Sequence, residues 1–265
     1  GKLPSIKEIV CTFARLDIHS QPIPILPAVH YTMGGIPTNA QSQVVGSDGE
    51  IIEGLLAIGE TACTSVHGAN RLGCNALLEL VVFGKAAGEM AASSTVKQKT
   101  HKKITADMLA TPLTRLNKLQ YTKGGTSPNK IRKELQQIMQ NHGSIFRTQD
   151  LLAEGVEKLR NLWKILVFDM QVNDNSLVWN NDLLDALETD NLLRLAMVTM
   201  NSALNRTESR GAHFRADFPK RDDENWLAHS LVSLNENGQT TISKRSVRLE
   251  NEEKTISFPP EERGY

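Results

Sequence analysis

The side chains best suited to chemistry lie in three glycine-rich stretches: His30–Gly35, the dipeptide Gly59-Glu60, and His67–Leu78. Together these stretches offer a histidine, a carboxylate and an arginine around turns that lead into a long apolar segment. The guanidinium of Arg71 keeps its charge at any working pH and matches a carboxylate with two parallel hydrogen bonds. The imidazole of His30 can donate a further hydrogen bond to the same anion. The pattern therefore predicts a site for an anionic ligand.

Each of these two residues also has a purely structural interpretation. An arginine commonly pairs with a nearby acid, and a histidine after an apolar run is commonly a hydrogen-bonded residue of the core. The sequence leaves both interpretations open for Arg71 and His30.

The elements around these residues indicate how a ligand would be held. The apolar run Gly54–Gly59 predicts a strand buried on both faces, with Glu60 at its end. A carboxylate there can accept hydrogen bonds from sugar or polyol hydroxyls, because ligands of open α/β sheets collect at the carboxyl ends of strands. The segment Ala76–Ala92 predicts a helix that begins near Asn75. The start of this helix favours negative charge, whether of a carboxylate or of a reduced cofactor ring.

These motifs resemble the flavoprotein subunit of succinate dehydrogenase and fumarate reductase. The resemblance extends over essentially the whole chain and includes His30–Gly35, Gly59-Glu60, Val66–Gly73, Leu80–Gly84, Ser209–His213, Arg221–Trp226 and Phe258–Tyr265. L-Aspartate oxidase shares His-Tyr-Thr-Met-Gly-Gly and Ala-Asn-Arg-Leu. The Leu-Val-Val-Phe-Gly and Asp-Asp-Glu-Asn-Trp segments favour the dehydrogenase, although the oxidase remains an alternative.

The resemblance implies FAD as the cofactor, with succinate or fumarate as the substrate. It implies that His30 and Arg71 bind one carboxylate of the diacid. Glu60 would bind the ribityl or ribose hydroxyls of the flavin, and the backbone of Ala76 and Leu77 would face the isoalloxazine ring.

Cys74 stands where the family usually has Gly, Ala or Ser near the substrate. Its small side chain fits that place. A thiol beside a flavin would be open to alkylation or oxidation if it is exposed.

The chain also departs from the family pattern. It contains no G-x-G-x-x-G turn for a dinucleotide pyrophosphate, and it is less than half the usual length of the family. By the resemblance, the other half carries the flavin-linked histidine, a second substrate-binding histidine, a threonine and the proton-delivering arginine. We therefore expect an N-terminal half supplied in trans or removed, and neither firm FAD binding nor turnover by this chain alone. A noncatalytic structural or assembly subunit is the alternative, but such a subunit would not need Arg71, His30 and Glu60.

The composition argues against several classes of partner and site. The 265 residues contain 30 Lys plus Arg and 30 Asp plus Glu, so no overall field attracts nucleic acid. The longest apolar segment is interrupted by Glu79 and Lys85 and falls short of the roughly 20 residues that span a bilayer. The three cysteines form no C-x-x-C pattern, which indicates a reducing compartment and gives no metal site.

The resemblance implies further partners and a location. It implies an iron–sulfur subunit and, indirectly, membrane-anchor subunits. The chain would then lie peripherally on the matrix side of the mitochondrial inner membrane or on the cytoplasmic side of a bacterial membrane.

Periodicity and the resemblance together predict an α/β part followed by an all-α part. Residues 1–30 would be the end of a capping domain and an extended linker, and residues 31–95 the C-terminal part of a Rossmann-like FAD-binding domain. Residues 96–210 would form a helical bundle. Residues 211–265 would form a small α+β domain with a β-hairpin.

Helices are predicted from apolar spacing and capping signals. They cover residues 6–14, 128–140, 148–166 and 181–204, and the last three suggest an antiparallel bundle. The expected core positions are Leu151, Leu152, Val156, Leu159 and Trp163 of the second bundle helix and Leu184, Leu187, Leu192, Leu195 and Val198 of the third. The basic run at 97–103 is interpreted as a solvated linker.

Charged residues cluster again before the predicted hairpin. His213, Arg215 and the segment Arg221–Glu224 lie in a connecting stretch. They would either contact the iron–sulfur subunit or the flavin domain, or form a solvated ion-pair cluster, and surface pairs of that kind contribute little to stability.

Overall fold

In the computed structural model, short strands and one long helix make up the first third of the chain. The structure describes residues 4–25, 28–97, 103–251 and 253–261, with the backbone alone for 95–97. The elements are α1 (Pro4–Ile9) with a wider π-type continuation (Val10–Ala14), β1 (Ile36–Pro37), β2 (Gln43–Val45), β3 (Ile51–Leu56), β4 (Ala62–Cys63) and α2 (Asn75–Lys97). The predicted helix at residues 6–14 and the predicted helix start near Asn75 are confirmed.

Strand β3 is not the buried strand that the sequence predicts over Gly54–Gly59. It pairs with β2 alone as an antiparallel hairpin, and residues 51–55 are exposed. The prediction is wrong because no part of the described chain covers β3, which ends before the buried Ala57 and Gly59. Glu60 therefore lies in a short 3₁₀ turn, Gly59–Thr61, and not at a strand end.

Four long helices form the main core. They are α3 (Ala106–Tyr121), α4 (Pro128–His142), α5 (Gln149–Phe168) and α6 (Asn181–Asn205). The last three confirm the predicted helices, whereas the sequence did not single out α3. The side chains of Ser127, Thr148 and Asn180 each accept a backbone N–H at the start of their helix, which satisfies donors that would otherwise lack a partner. The basic run at 97–103 falls mostly outside the described residues.

Side-chain contacts fix the directions of the bundle helices. Arg132 near the start of α4 pairs with Glu188 in the first half of α6, and Gly143 after α4 lies against Met200 near the end of α6. Helices α4 and α6 are therefore parallel. Gly155 near the start of α5 also lies against Met200, whereas Trp163 further along α5 contacts Arg194 earlier in α6. Helix α5 therefore runs opposite to both, as the antiparallel prediction requires.

Helix α6 buries a different face from the predicted one. Leu184, Leu192 and Leu195 are exposed, and Leu187 and Val198 are half-buried. The buried positions are Leu183, Ala186, Thr189, Asp190, Leu193, Ala196, Met197, Met200 and Ala203. The prediction is wrong because leucines occur in adjacent pairs at 183–184 and 192–193, so an apolar count cannot choose the face. Asp190 can be buried because Arg115 of α3 donates to its Oδ2 at 2.9 and 2.6 Å and Arg194 also pairs with it.

On helix α5 the predicted face is mostly correct. Leu152, Val156, Leu159 and Trp163 are buried, and Leu151 is half-buried. Burying a side chain of this size stabilises the fold by about 1.5–3 kcal/mol, so these positions account for much of the stability of the bundle.

The C-terminal segment contains the predicted hairpin. Its elements are α7 (Asp223–Trp226), β5 (Ala228–Leu234) and β6 (Thr240–Ser246). Trp226 ends the short helix and does not begin the strand. The hairpin turn at Gly238 lies against the indole of Trp163, so this segment packs on α5. None of the helices within the described ranges is long and apolar enough to cross a bilayer.

Candidate functional site

The loop His30–Gly35 lies beside the turn that carries Glu60. Strands β1 and β4 pair in parallel, with Ile36 opposite Ala62. A Cβ atom on Gly35 would lie 2.5 Å from the carbonyl oxygen of Thr61, and Gly35 has a φ of +132°, so only glycine permits this approach. Glu60 Oε1 accepts a hydrogen bond from the backbone N–H of Thr32 at 2.8 Å. Glu60 therefore holds the loop in place, and its exposed carboxylate keeps further acceptor capacity.

Arg71 is held by an aromatic ring. Its Cζ atom lies 4.3 Å from the centroid of the Tyr31 ring, and its Nη1 donates to the carbonyl oxygen of Leu72 at 3.0 Å. The Nε atom is buried and has no hydrogen-bond partner. Within the described ranges, no carboxylate lies within ion-pair distance of this guanidinium. The interpretation of Arg71 as half of a structural ion pair is therefore wrong for this part of the chain.

His30 is exposed, so it is not the hydrogen-bonded core residue of the alternative interpretation. The guanidinium of Arg71 stacks on the ring of Tyr31, which is the next residue along the chain. The fold thus brings the two predicted ligands into neighbouring segments. Their convergence on one anion stays a prediction.

A buried polar group beneath this loop was missed by the sequence analysis. Glu79 is only 4% exposed, and its Oε2 atom accepts hydrogen bonds from the Tyr31 hydroxyl at 3.0 Å and from His67 Nε2 at 2.6 Å. The rings of Tyr31 and His67 also meet edge to face, with centroids 5.9 Å apart. Burial, followed by the hydrogen bond to Glu79, raises the pKa of Tyr31 above its ordinary value. The only signal in the sequence was an acid within the apolar segment of α2.

The start of α2 is open to solvent on the side of these loops. Cys74 immediately before it is exposed and has a φ of +67°, and Leu77 is 71% exposed. Ala76 is half-buried, and the first turn of the helix contains no acidic residue. Unpaired backbone N–H groups at such a start attract negative charge. The residues present therefore fit an electron-rich cofactor ring.

The C-terminal segment contacts the Arg71 loop directly. The backbone N–H of Ala212 donates to the carbonyl oxygen of Ala69 at 2.9 Å. Gly211 has a φ of +57°, and a Cβ atom there would lie 2.5 Å from the same oxygen. This glycine lets the turn at 208–215 approach the loop two residues before Arg71.

A buried charge network holds that turn. Glu208 is fully buried and pairs with Arg206 and with Arg210, whose Nε lies 2.8 Å from Glu208 Oε1. Arg215 is also fully buried; it donates to Asp217 and to the carbonyl oxygens of Ala203 and Leu204 at the end of α6. The interpretation of these residues as a solvated ion-pair cluster is therefore wrong for Arg215.

His213 belongs to the same network. Its Nδ1 accepts a hydrogen bond from Arg147 Nη1 at 2.9 Å, so Nε2 carries the proton and donates to the carbonyl oxygen of Arg206 at 3.2 Å. Burial, opposed by this bond and reinforced by nearby arginines, lowers the pKa of His213 to about 4. The bond to Arg215 lowers the pKa of Asp217 to about 2.

The segment Arg221–Glu224 has structural partners of its own. Asp222 caps α7 through the N–H of Asn225, and Asp223 pairs with Arg210 and Arg221. A contact of this cluster with another subunit stays a prediction.

Two family models match the chain. The model described as fumarate reductase flavoprotein C-term matches residues 132–265, and the FAD binding domain model matches residues 1–77. The chain thus includes part of an FAD-binding domain, and FAD is the cofactor.

Curated relatives agree with these models. The succinate dehydrogenase flavoprotein subunit of Rickettsia bellii is 44% identical over 273 residues, which cover 100% of this chain and 45% of the relative. The mitochondrial succinate dehydrogenase (ubiquinone) flavoprotein subunit of Oryza sativa is 43% identical over 269 residues, covering 100% and 42%. The chain therefore spans a little under half the length of these relatives.

A solved structure gives the same result. A Glu-to-Gln variant of FrdA from E. coli quinol fumarate reductase matches with a TM-score of 0.82 at 36% identity, over 98% of this chain and 43% of that chain. Since the sequence resemblance, the two family models and this structural match agree, the chain belongs to the succinate dehydrogenase and fumarate reductase flavoprotein family.

Proposed function

We propose that this chain forms part of a succinate dehydrogenase, which oxidises succinate to fumarate and passes the electrons through FAD to an iron–sulfur subunit. The observation that carries the proposal is the Arg71 guanidinium. It lies on the ring of Tyr31, the residue after exposed His30, with its Nε unpartnered and four residues before the open start of α2. A cation placed in this way is suited to a carboxylate ligand.

The residues of this chain would bind and orient the substrate. Arg71 would hold one carboxylate of succinate with two parallel hydrogen bonds, and His30 would donate to the same group. Bound FAD would accept a hydride from C2 of succinate, while a proton leaves C3. Neither Arg71 nor His30 is the base for that proton, which we assign to an N-terminal half of the flavoprotein.

Three residues would face the cofactor and a fourth the substrate. Glu60 would accept hydrogen bonds from ribityl or ribose hydroxyls, which its exposed carboxylate allows. The backbone N–H groups of Ala76 and Leu77, in the first turn of α2, would lie against the isoalloxazine ring. Cys74, exposed at the same place, would lie next to the substrate.

The exposed apolar surface supports a second polypeptide half as partner. Leu77 and Val81 on α2 are each 71% exposed, and Ile51, Ile52 and Leu55 on β3 are also exposed. Exposed apolar side chains in such number on one segment are typical of a surface that another polypeptide covers. An N-terminal half with the dinucleotide-binding turn would cover them, and this chain alone would not turn over.

The remaining partners and the location extend the same proposal. An iron–sulfur subunit would accept the electrons, and membrane-anchor subunits would hold the assembly at a membrane. The Oryza sativa relative is named as mitochondrial, and the Rickettsia bellii relative is bacterial. The chain would accordingly lie on the matrix side of the mitochondrial inner membrane or on the cytoplasmic side of a bacterial membrane.

The test is succinate oxidation by the native assembly with an artificial electron acceptor. Arg71→Ala should lower kcat/KM for succinate by about 100-fold or more, because a preorganised charged hydrogen-bond donor is worth roughly 3 kcal/mol. Arg160→Ala is the matched control, since Arg160 is exposed and, among the residues that the structure describes, pairs only with Glu157 at i,i+3. Equal activity of Arg71→Ala and wild type would contradict the proposal and favour a noncatalytic assembly subunit.

A further inference from the structure

The described hydrogen bond of the Tyr31 hydroxyl is to a buried carboxylate. Its hydroxyl donates to Glu79 Oε2 at 3.0 Å, and the same oxygen lies 2.6 Å from His67 Nε2. Glu79 itself projects from α2 and is 4% exposed. The tyrosine ring is thus fixed at its far end to a long helix, while its face is turned to Arg71 at 4.3 Å.

We propose that Tyr31, held by Glu79 and His67, is a positioning residue that sets the guanidinium of Arg71 for a dicarboxylate ligand. This inference rests on the proposed function of Arg71. It adds the group through which the fold holds that arginine, and it predicts that Tyr31 acts on the substrate only through Arg71.

The chemistry of the ring explains why an aromatic residue would serve better than an acid. A carboxylate partner would occupy the donors of the guanidinium and would compete with the carboxylate of the substrate. The face of an aromatic ring attracts the cation without accepting the hydrogen bonds in the guanidinium plane. Arg71 therefore keeps donors for an incoming anion, in agreement with its unpartnered Nε.

Glu79 and His67 keep the ring in one orientation. A buried carboxylate that accepts two hydrogen bonds is satisfied, so it does not draw Arg71 towards itself. A tyrosine hydroxyl is protonated at working pH in any case, so it stays the donor to Glu79. A loosened ring would let the guanidinium sample orientations that no longer match the diacid.

Three variants in the native assembly separate the ring from its hydroxyl. Tyr31→Leu removes the ring face and should raise the KM for succinate and the Kd for malonate, a non-reacting diacid, by about 10-fold, the effect of about 1.4 kcal/mol in a cation–π contact. Tyr31→Phe keeps the face and should raise both by about 3-fold or less. Tyr121→Leu is the matched control on exposed α3 surface and should change neither.

The kcat separates positioning from general damage. If Tyr31 acts on binding through Arg71, the kcat of Tyr31→Leu per bound flavin should stay within about 2-fold of wild type while KM rises. A fall in kcat or in flavin content with unchanged malonate affinity would overturn the inference.

A double-mutant cycle with Arg71→Ala completes the test. Tyr31→Leu should change the malonate Kd by less than about 2-fold when Arg71 is already absent, because the two residues act as one unit. The inference would be overturned if Tyr31→Leu weakened malonate binding equally with and without Arg71, or weakened it in neither case. In both of these outcomes Arg71→Ala alone would still weaken malonate binding. If Arg71→Ala itself left the malonate Kd unchanged, the proposed function would fail instead.

Discussion

Arg71 differs from Arg206, Arg210 and Arg215 in what holds it. Arg206, Arg210 and Arg215 each pair with a carboxylate in the C-terminal network. Arg71 lies on an aromatic ring and donates to the backbone carbonyl of Leu72. Its charge is therefore available to a ligand, whereas the charges of the other three stabilise the fold.

Arg71→Lys should not restore the function of the arginine. Lysine keeps the charge but lacks the planar fork and stacks less well on the Tyr31 ring. We expect the KM for succinate in the native assembly to lie well above that of wild type, by about 10-fold or more. A KM within about 2-fold of wild type would show that charge alone is enough and would remove the role of geometry.

At the residue scale, the sequence analysis proposed candidate ligand-binding residues more readily than the residues that hold them. His30, Glu60 and Arg71 were proposed because their residue types and glycine-rich surroundings are local features, and their binding roles stay predictions. Tyr31 and Glu79 are 48 positions apart and meet only in the folded chain. A tyrosine in a loop and an acid in a helix give no signal on their own, so their contact could not be predicted.

Among the secondary structure elements, the end of α6 and the turn after it depend on buried charge. Arg215 satisfies the carbonyl oxygens of Ala203 and Leu204, which the end of a helix leaves without partners. The same turn reaches Ala69 through Gly211 and Ala212. The stability of this turn therefore bears on the loop that carries Arg71.

His213 should make the stability of the chain depend on pH. Its pKa is about 4 in the folded state and 6.5 at its ordinary value. Between pH 7 and pH 5 the unfolded chain takes up a proton that the folded chain refuses, so the free energy of unfolding should fall by about 1–2 kcal/mol. The fall should level off below about pH 4.

His213→Gln isolates this contribution, because glutamine stays neutral and can hydrogen-bond to Arg147 and to the carbonyl of Arg206. Chemical denaturation of the full chain at pH 7 and pH 5 should show a smaller pH effect in the variant than in wild type. An equal pH effect in both proteins would contradict the role assigned to His213.

The sequence predicted where the bundle helices begin and end better than it predicted which face of each helix is buried. The capping residues Ser127 and Thr148 mark helix starts in the sequence, and the structure confirms them. The buried face of α6 includes Asp190, which is paired with Arg115 of another helix. Neither this long-range pair nor the choice between adjacent leucines could be taken from the local apolar pattern, which pointed to Leu192 and Leu195.

At the scale of the whole molecule, the helical bundle has a large buried apolar core, whereas the N-terminal third has a small one. The buried apolar side chains of α4, α5 and α6 belong to one large cluster, whereas the buried cluster that includes β2 consists of Val44, Ala57 and Ala62. The N-terminal half that we propose as a partner would bury the exposed side chains of β3 and α2. The domain boundaries predicted at residues 30, 95 and 210 stay predictions.

A charge on the open face of α2 should prevent assembly with the N-terminal half. Val81→Asp would place a carboxylate where we expect an apolar interface, at a cost of several kcal/mol. Recovery of a co-purifying polypeptide with the dinucleotide-binding turn, measured by mass spectrometry, should fall about 10-fold or more. Ser94→Asp, an exposed position on the same helix, is the control, and equal recovery of both variants would contradict the proposed interface.

The most direct test of the account is the equilibrium binding of malonate to the native, flavin-loaded assembly. The dissociation constant does not depend on turnover. It is therefore independent of electron transfer to the iron–sulfur subunit and of the artificial acceptor. We predict that Arg71→Ala raises the Kd for malonate about 100-fold or more, while Arg160→Ala leaves it unchanged. The same Kd for wild type and Arg71→Ala would contradict the claim that this guanidinium binds the diacid.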